Sequence, residues 1–373
     1  MNYEIVKYDP IYNDQICELE KEIWSPDSNV NRSYLQWKYF DNPHADSPKI
    51  YLVLYEGVVI AVRGMYETRW QLGTSDESFI ALCAADLVIH KDYRNKGLYS
   101  ELMNFARNDL YGLGYQYLFS FSAGPASLIN SLALGWKSIG KIRVMSKEFY
   151  PRPIIQKLMS HNTIKEFIKR TIAAKYLKIP AKDFKNYEEL KYHKKIAPQI
   201  RIDKNPMPDE MASLVRKLIT NNKIVLTRDE KFFSWRYGNP LSKYIFLYWF
   251  DDELEGYLAA QTPLYKYDYM NKFNIIELEA VNSTIKIELL KTLIYLLDSR
   301  SISVWSNMLN DNCRKFLESK RFIETGSTGS AAEYTPTVLI RTTNGSANNL
   351  EFHGMNLLDM NNWDLKMIYS DAF

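Results

Sequence analysis

Residues 86–103 constrain the fold of this chain more than any other stretch, because they pass from a strand pattern to a helix pattern through one short polar turn. An apolar, β-rich run over 87–89 leads to the turn at 94–97, and apolar residues then recur at helical spacing: Leu98, Leu102, Phe105 and Ala106. A strand that feeds such a helix directs the unpaired N–H groups of the helix N-terminus towards the turn. Together with the positive end of the helix dipole, this geometry predicts an anion-binding site.

The residues of the turn support that prediction. Gly97 allows a ligand to approach the backbone closely, while Arg94 and Lys96 add positive charge. The stretch resembles motif A of the GNAT acetyltransferase superfamily, V-x-x-x-x-x-[QR]-x-x-G-x-[GA], with Val88, Arg94 and Gly97 on its fixed positions. Tyr99 departs from the motif, because it stands where the last small residue is usual.

The resemblance implies a co-substrate, since the loop of this motif holds the pyrophosphate of coenzyme A in the family. Acetyl-CoA is therefore the expected acyl donor. The resemblance assigns its binding to the end of the strand, the loop, the first turn of the helix and one later helix: Leu87, Val88, Arg94, Asn95, Lys96, Gly97, Leu98, Tyr99 and Asn130.

The chain also contains an internal repeat. Residues 34–43 and 232–240 share the form aromatic-x-x-Trp-[Lys/Arg]-Tyr, followed by one or two spacers and Asn-Pro. Each segment precedes a predicted β-hairpin, and similarity of this kind indicates duplication. The predicted fold is α/β, with two tandem GNAT-fold domains whose mixed, mostly antiparallel sheets are flanked by helices.

The two predicted copies are unequal. The strand over 275–281 runs directly into Asn282 and a helix, with no R-x-x-G turn between them. Catalysis is therefore expected in the first copy, and the second is expected to shape the acceptor site. The predicted division of the chain is an N-terminal domain with the acyl-CoA loop (1–150), a basic helical insert (151–204), a degenerate C-terminal copy (205–340) and a tail packed on the body (341–373).

Charge and composition reduce the number of function classes that fit the sequence. The net charge of the 373 residues is +3, which gives no support to nucleic-acid binding, although the insert alone has 14 Lys/Arg against 5 Asp/Glu. Its basic amphipathic stretch over 163–179 suits an interdomain connector, contact with a membrane surface or attraction of anionic acceptors. The three cysteines lack metal-ligand spacing, and neither a signal peptide nor a membrane-spanning run is evident, which predicts a cytoplasmic protein without a metal.

Acyl transfer to an amine needs a base, polarisation of the thioester carbonyl and an acid for the leaving thiolate. The resemblance places the backbone of Leu87 and Val88 at the thioester. It places Ser131 where the family often has an acidic tyrosine, with Tyr99 as a substitute. Asp86 is the nearest carboxylate on the strand, and it suits either a base or a structural acceptor. A water chain and the carboxylate at the chain end remain alternatives for the base.

Three functions remain open from the sequence. The first is an acetyl-CoA-dependent N-acyltransferase acting on a small-molecule amine, with a nucleotide- or lipid-linked amino sugar of surface-polysaccharide assembly as the first candidate. The second is a Fem-type aminoacyl-tRNA-dependent peptidyltransferase, against which the intact turn at 94–97 argues. The third is a non-catalytic acyl-CoA-binding protein on the same scaffold. In the second repeat, Trp235 and Tyr237 are expected to be core anchors and Arg236 is expected to be exposed.

Overall fold

The computed structural model describes residues 3–123, 125–147, 196–220, 222–263, 272–297, 301–325, 336–345 and 350–370. The predicted basic stretch over 163–179 and the chain end at 371–373 lie outside the described residues. Among the helices that the structure describes, none has the length and apolar character needed to cross a lipid bilayer.

The described elements alternate between strands and helices along the chain. The strands are β1 (Tyr3–Lys7), β2 (Lys49–Tyr55), β3 (Val58–Leu72), β4 (Ser78–Ile89), β5 (Tyr117–Ala123), β6 (Lys137–Lys141), β7 (Val144–Lys147), β8 (Ile200–Asp203), β9 (Ile224–Leu226), β10 (Ser242–Phe250), β11 (Leu254–Pro263), β12 (Lys272–Ala280), β13 (Ser301–Trp305), β14 (Ile323–Glu324), β15 (Thr337–Thr342), β16 (Glu351–Phe352) and β17 (Met355–Asn356). The helices are α1 (Asn13–Leu19), α2 (Ser28–Tyr39), α3 (Leu98–Gly112), α4 (Pro125–Ala133), α5 (Pro208–Leu218), α6 (Glu230–Arg236), α7 (Ser283–Leu296) and α8 (Asp311–Ser319).

Two large sheets repeat one pattern of strand pairing. In the first sheet β2, β3 and β4 pair antiparallel, and β4 then pairs parallel with β5 after the crossover through α3. In the second sheet β10, β11 and β12 pair antiparallel, and β12 pairs parallel with β13 after the crossover through α7. The fold is therefore α/β, with two similar units in tandem as the sequence predicted.

The two sheets exchange strands across the predicted domain boundaries. β7 pairs with β13 and β14 in the second sheet, although the sequence analysis assigned residues up to 150 to the first domain. β15 lies between β5 and β6 in the first sheet, although residues up to 340 were assigned to the second domain. An alternating apolar pattern specifies the faces of a strand but not the sheet that it joins, which is why the sequence could not show this exchange.

Two further segments tie the two sheets together. β8, at the end of the predicted insert, pairs with β10 of the second sheet, and β9 pairs with β3 of the first. The tail runs between the units, where the Tyr66 hydroxyl donates to the Tyr369 carbonyl oxygen at 2.9 Å. Its apolar side chains are buried, including Trp363 and Tyr369.

Candidate active site

The central strand of the first sheet separates from its parallel neighbour. β4 and β5 pair only from Ala81 opposite Tyr117 to Cys83 opposite Phe119, so the rest of β4 is open on that side. On the other side the register with β3 shifts between Val62 and Gly64. A bulge of this kind releases main-chain groups from the ladder and redirects them. An extended ligand can therefore contact the main chain of β4 beyond Cys83.

The bulge is centred on Asp86, which has a left-handed backbone with φ of 51°. Val88 pairs with Val62 and Ala85 pairs with Gly64, so Asp86 and Leu87 together face a single residue of β3. Left-handed geometry is uncommon for residues other than glycine, and it persists only where the surroundings hold it. The contacts of the Asp86 side chain supply that restraint.

Three donor groups surround the Asp86 carboxylate. The ammonium group of Lys38, on α2, lies 2.9 Å from both carboxylate oxygens, and the Trp24 indole N–H donates to one of them at 3.0 Å. The Tyr39 hydroxyl donates to the other oxygen. The side chains of Lys38 and Asp86 are each only 1% exposed. This carboxylate holds α2 against the bulge, an arrangement that matches the structural reading of Asp86 rather than the reading as a base.

Two neighbours complete this buried cluster. A Cβ at Gly64 would overlap the Tyr39 hydroxyl, so only glycine at this position lets that tyrosine reach the bulge. Glu20 is buried beside the ion pair, and burial together with the charge of Asp86 raises the pKa of its carboxyl well above the usual range. The cluster therefore contains two acids and one cation, which makes Lys38 essential to its charge balance.

The loop after β4 leaves the N-terminus of α3 without a side-chain cap. Gly97 is the N-cap residue with φ of 81°, and it has no side chain that could accept a hydrogen bond from the first turn. A Cβ at this position would meet only a Glu101 carboxylate oxygen, at 3.9 Å, so the backbone is open to a ligand. Free N–H groups at such a terminus fit the phosphates of an acyl-CoA molecule.

The basic side chains of the loop have protein partners in this structure. The guanidinium of Arg94 donates to the Ile89 carbonyl oxygen at 2.8 Å and pairs with Glu22. The ammonium of Lys96 donates to the Asp92 carbonyl oxygen at 2.9 Å. Arg94 must therefore leave Glu22 before it can bind a phosphate. Sequence analysis missed Glu22, because its partner lies 72 residues further along the chain.

The other residues that were predicted to bind the acyl donor lie on both sides of the loop. Asn95 has a left-handed backbone with φ of 63°, and the side chain of Leu98 is buried in the core under α3. Asn130 is exposed on α4, and its carbonyl oxygen accepts the hydrogen bond from the Leu134 amide. Leu98 can therefore contact a ligand only through its backbone.

Tyr99 and Ser131 are brought together by the fold. Tyr99 lies in the first turn of α3 and Ser131 on α4, and their side-chain oxygens are 3.0 Å apart. Ser131 is buried and Tyr99 is half-buried. The two residues that the sequence analysis offered as alternative acids thus form one hydrogen-bonded pair.

A carboxylate that the sequence analysis did not consider also faces the helix N-terminus. Glu101 accepts a hydrogen bond of 2.5 Å from the Tyr3 hydroxyl, and this bond raises the pKa of Tyr3 above its usual value. The helix dipole favours an acid in the first turn of α3. The same acid is electrostatically unfavourable for a phosphate bound at Gly97.

The second unit uses the equivalent residues for structure. Tyr237, the repeat partner of Tyr39, donates to the Glu277 carboxylate on β12 at 2.7 Å, and Arg228 pairs with the same acid at 2.7 Å. Directly after β12, the Asn282 side chain accepts from the Ile285 amide at 3.0 Å and caps α7. The tyrosine-to-strand contact is thus present in both copies, whereas the uncapped helix start occurs at α3 and not at α7.

The repeated helices form a pseudo-symmetric contact. The indole N–H of Trp37 donates to the Trp235 carbonyl oxygen and that of Trp235 donates to the Trp37 carbonyl oxygen, each at 2.6 Å, with the rings stacked at 5.1 Å. The expectation that Arg236 is exposed is wrong. It is buried and donates to the Ile368 and Ser370 carbonyl oxygens of the tail, at 2.9 and 2.8 Å, because the tail lies against this face of α6.

A groove of about 1080 Å³ follows the exposed edges of α2 and α6. Equivalent positions of the two repeats line it, with the paired tryptophans and charged side chains of both signs among them. Its lining residues include Arg32, Gln36, Trp37, Asp41, Lys231 and Trp235.

The splayed β4–β5 pair, the bulge on β4 and the uncapped start of α3 follow one another along the first unit. Residues 13–127 match the model of the acetyltransferase (GNAT) family. No curated protein matches the sequence significantly.

Solved structures share the fold over both units. A GCN5-related N-acetyltransferase from Anabaena variabilis aligns over 92% of this chain and 73% of its own at 11% identity, with a TM-score of 0.55. A probable N-acyltransferase from Enterococcus faecalis aligns over 92% and 73% at 10% identity, with a TM-score of 0.52. A tandem GNAT protein from the clavulanic acid biosynthesis pathway aligns over 92% and 100% at 11% identity, with a TM-score of 0.53.

Proposed function

We propose that this protein transfers an acetyl group from acetyl-CoA, bound at the start of α3, to the amine of a small molecule. The uncapped helix N-terminus at Gly97, next to the open edge of β4, is the observation that carries this proposal. The donor would supply a thioester, and its phosphates would accept hydrogen bonds from the backbone of residues 96–99. Since α7 is capped by Asn282, we assign donor binding to the first unit only.

The chain's own groups suit the steps of the transfer. Leu87 is released from the β3 ladder by the bulge, so its main chain is a candidate donor to the thioester oxygen, and such preorganised donors stabilise developing negative charge. The Tyr99–Ser131 pair is placed to hold the proton that the leaving thiolate requires. The Asp86 carboxylate is already engaged by Lys38, Trp24 and Tyr39, so we assign proton removal from the amine to water rather than to Asp86.

For the acceptor we propose an amino sugar bound along the groove between α2 and α6. A sugar ring presents an apolar face and several hydroxyl groups, and this groove combines an indole with polar and charged side chains. A product-detecting screen should compare amino sugars with amino acids and polyamines. Preference for another amine class would remove the amino-sugar assignment and leave the donor assignment intact.

Calorimetric titration tests the donor assignment directly. We expect the full chain to bind acetyl-CoA and desulpho-CoA, because the phosphates rather than the sulphur make the contacts at Gly97. A peptidyltransferase that takes its acyl group from aminoacyl-tRNA would bind neither. Binding without turnover of any amine would favour the non-catalytic alternative.

Removal of either hydroxyl from the Tyr99–Ser131 pair is expected to slow turnover. Tyr99→Phe and Ser131→Ala should each lower kcat by roughly 100-fold, the lower range for general acid catalysis, with the Kd for acetyl-CoA unchanged. The double variant should be no slower than the slower single variant, because the two groups act as a unit. Tyr111→Phe, an exposed tyrosine on the same helix, is the matched control. Unaltered kcat in both single variants would exclude the pair as the acid.

Loss of the Glu101 charge is expected to strengthen donor binding. Glu101→Gln removes a negative charge beside Gly97, and an interaction of about 0.7 kcal/mol across water corresponds to roughly threefold tighter binding of acetyl-CoA. Calorimetry at low salt should show the gain, and it should shrink as salt screens the charges. Glu318→Gln, an exposed change on α8, serves as the control. Weaker binding in Glu101→Gln would show that the carboxylate orders the loop instead.

A further inference from the structure

A second cluster of positive charge lies beside α3, beyond the first turn of the helix. A small pocket of about 60 Å³ is lined by Lys137 of β6 and Arg341 of β15, together with Thr342, Gly135, Gly345 and Leu350. Arg107 of α3 borders it, since a Cβ at Gly345 would lie 3.1 Å from the Arg107 Nη1 atom. Helix α3 and strand β15 thus bring two guanidinium groups to one place.

The two arginines lack a compensating acid among the described residues. The Arg107 guanidinium donates to the Thr343 carbonyl oxygen at 3.1 Å and to the Asn108 side chain at 2.8 Å, both neutral acceptors. Arg341 Nη1 and Arg107 Nε are shielded from solvent and have no hydrogen-bond partner in the described part of the chain. Burial and the charge of Arg107 lower the pKa of Arg341.

Three of the buried cations among the described residues are paired with carboxylates. Lys38 pairs with Asp86, Arg228 with Glu277 and Glu279, and Lys366 with Glu279. Placing two like charges together in a shielded position without a counter-charge is unfavourable. A bound anion would therefore balance the positive charges of Arg107 and Arg341.

The volume of the pocket and the shape of the guanidinium groups indicate which kind of anion would bind. Holding one water requires about 10–15 Å³ of such space, so a pocket of this size accommodates one tetrahedral oxyanion. Guanidinium groups match phosphate oxygens with two parallel hydrogen bonds. We propose that Arg107 and Arg341 form a phosphate-binding site that is distinct from the donor loop.

The position on α3 separates this site from Gly97. Arg107 lies ten residues beyond Gly97, which places it roughly 15 Å further along the helix axis. A phosphate monoester of a separate small molecule therefore fits better than a group bound at the helix N-terminus. The other source of the same chemistry is the 3′-phosphate of the acyl donor, which the experiment below distinguishes.

Thermal unfolding of the full chain in inorganic phosphate tests the site. We expect Tm to rise with phosphate above its value in chloride of equal ionic strength, because a ligand that binds the folded state stabilises it. Arg341→Leu should weaken phosphate binding by about tenfold or more, as expected for a lost charge-assisted contact. Arg201→Leu, which breaks an exposed pair with Asp203, should leave the phosphate response unchanged.

Two outcomes would overturn the proposal: no phosphate-specific rise in the wild type, or an equal rise in Arg341→Leu. Arg107→Gln supplies an independent second variant if Arg341→Leu does not fold, and it should also weaken the response. Titration with the acyl donor and its 3′-dephospho form identifies the source. A separate ligand requires equal binding of the two forms, whereas the donor's 3′-phosphate requires a difference that disappears in Arg341→Leu. Failure of the donor assignment would leave the phosphate response in place.

Discussion

Gly97→Asp is expected to abolish acetyl-CoA binding while the protein remains folded. The new side chain would stand at the uncapped start of α3 and place a negative charge where the phosphates are proposed to bind. Charge-assisted hydrogen bonds contribute about 1.5–3 kcal/mol each, so loss of two of them weakens binding by more than about 100-fold. Isothermal titration measures the loss, and circular dichroism checks the fold.

A second glycine provides the matched control. Gly57, in the turn between β2 and β3, has φ of 78° against 81° for Gly97, and a Cβ there would meet nothing within 4 Å. Gly57→Asp therefore imposes the same left-handed strain and the same charge at a distant turn. Normal binding in Gly57→Asp with loss in Gly97→Asp assigns the effect to the donor loop. Normal binding in a folded Gly97→Asp would disprove the assignment.

The strand, turn and helix around residues 94–97 were predictable because their signals are local. The strand pattern before residue 90, the glycine at 97 and the helical spacing from 98 onwards lie within about twenty residues, and each reports on short-range geometry. The repeat of Trp37 and Trp235 predicted two similar units for the same reason. Pattern alone did not show that the two indoles contact each other, which depends on how the units pack.

The chemistry at Asp86 was not predictable, because its partners come from distant parts of the chain. Lys38 occupies a position that is Arg236 in the second repeat, and charged residues at a repeated helical position usually lie in solvent. Both are buried instead. Tyr39 contacts Gly64, and Tyr237 contacts Glu277. Both contacts form only in the folded chain, so the sequence did not reveal them.

The exchange of β7 and β15 also lies beyond what sequence patterns report. Each strand is inserted between two others, β15 between β5 and β6 and β7 between β13 and β14, and the sheet that it joins depends on the paths of the segments that precede it. Arg341 reaches Arg107 only because β15 joins the first sheet. The proposed phosphate site is therefore a consequence of the exchange.

Lys38→Met is expected to destabilise the protein strongly. Methionine fits the aromatic surroundings of Lys38, whose ammonium group lies 5.1 Å from the ring centres of both Tyr34 and Tyr66, but it leaves Asp86 buried without its counter-charge. Removing one partner of a buried ion pair costs about 3–5 kcal/mol. Chemical denaturation of the two proteins measures this difference in the free energy of unfolding. Lys217→Met breaks an exposed pair with Glu253 and should cost less than about 1 kcal/mol.

The double variant Lys38→Met/Asp86→Asn separates charge from packing. If the cost comes from an uncompensated carboxylate, the neutral amide should restore most of the lost stability, because Trp24 can still donate to its oxygen while its NH2 group can donate to the Tyr39 hydroxyl. The double-mutant cycle then yields a coupling of several kcal/mol between positions 38 and 86. The bulge at Asp86 would persist in that variant, and acetyl-CoA would bind to it as to the wild type. No recovery of stability would show that Lys38 acts through its contacts with the surrounding rings rather than through Asp86.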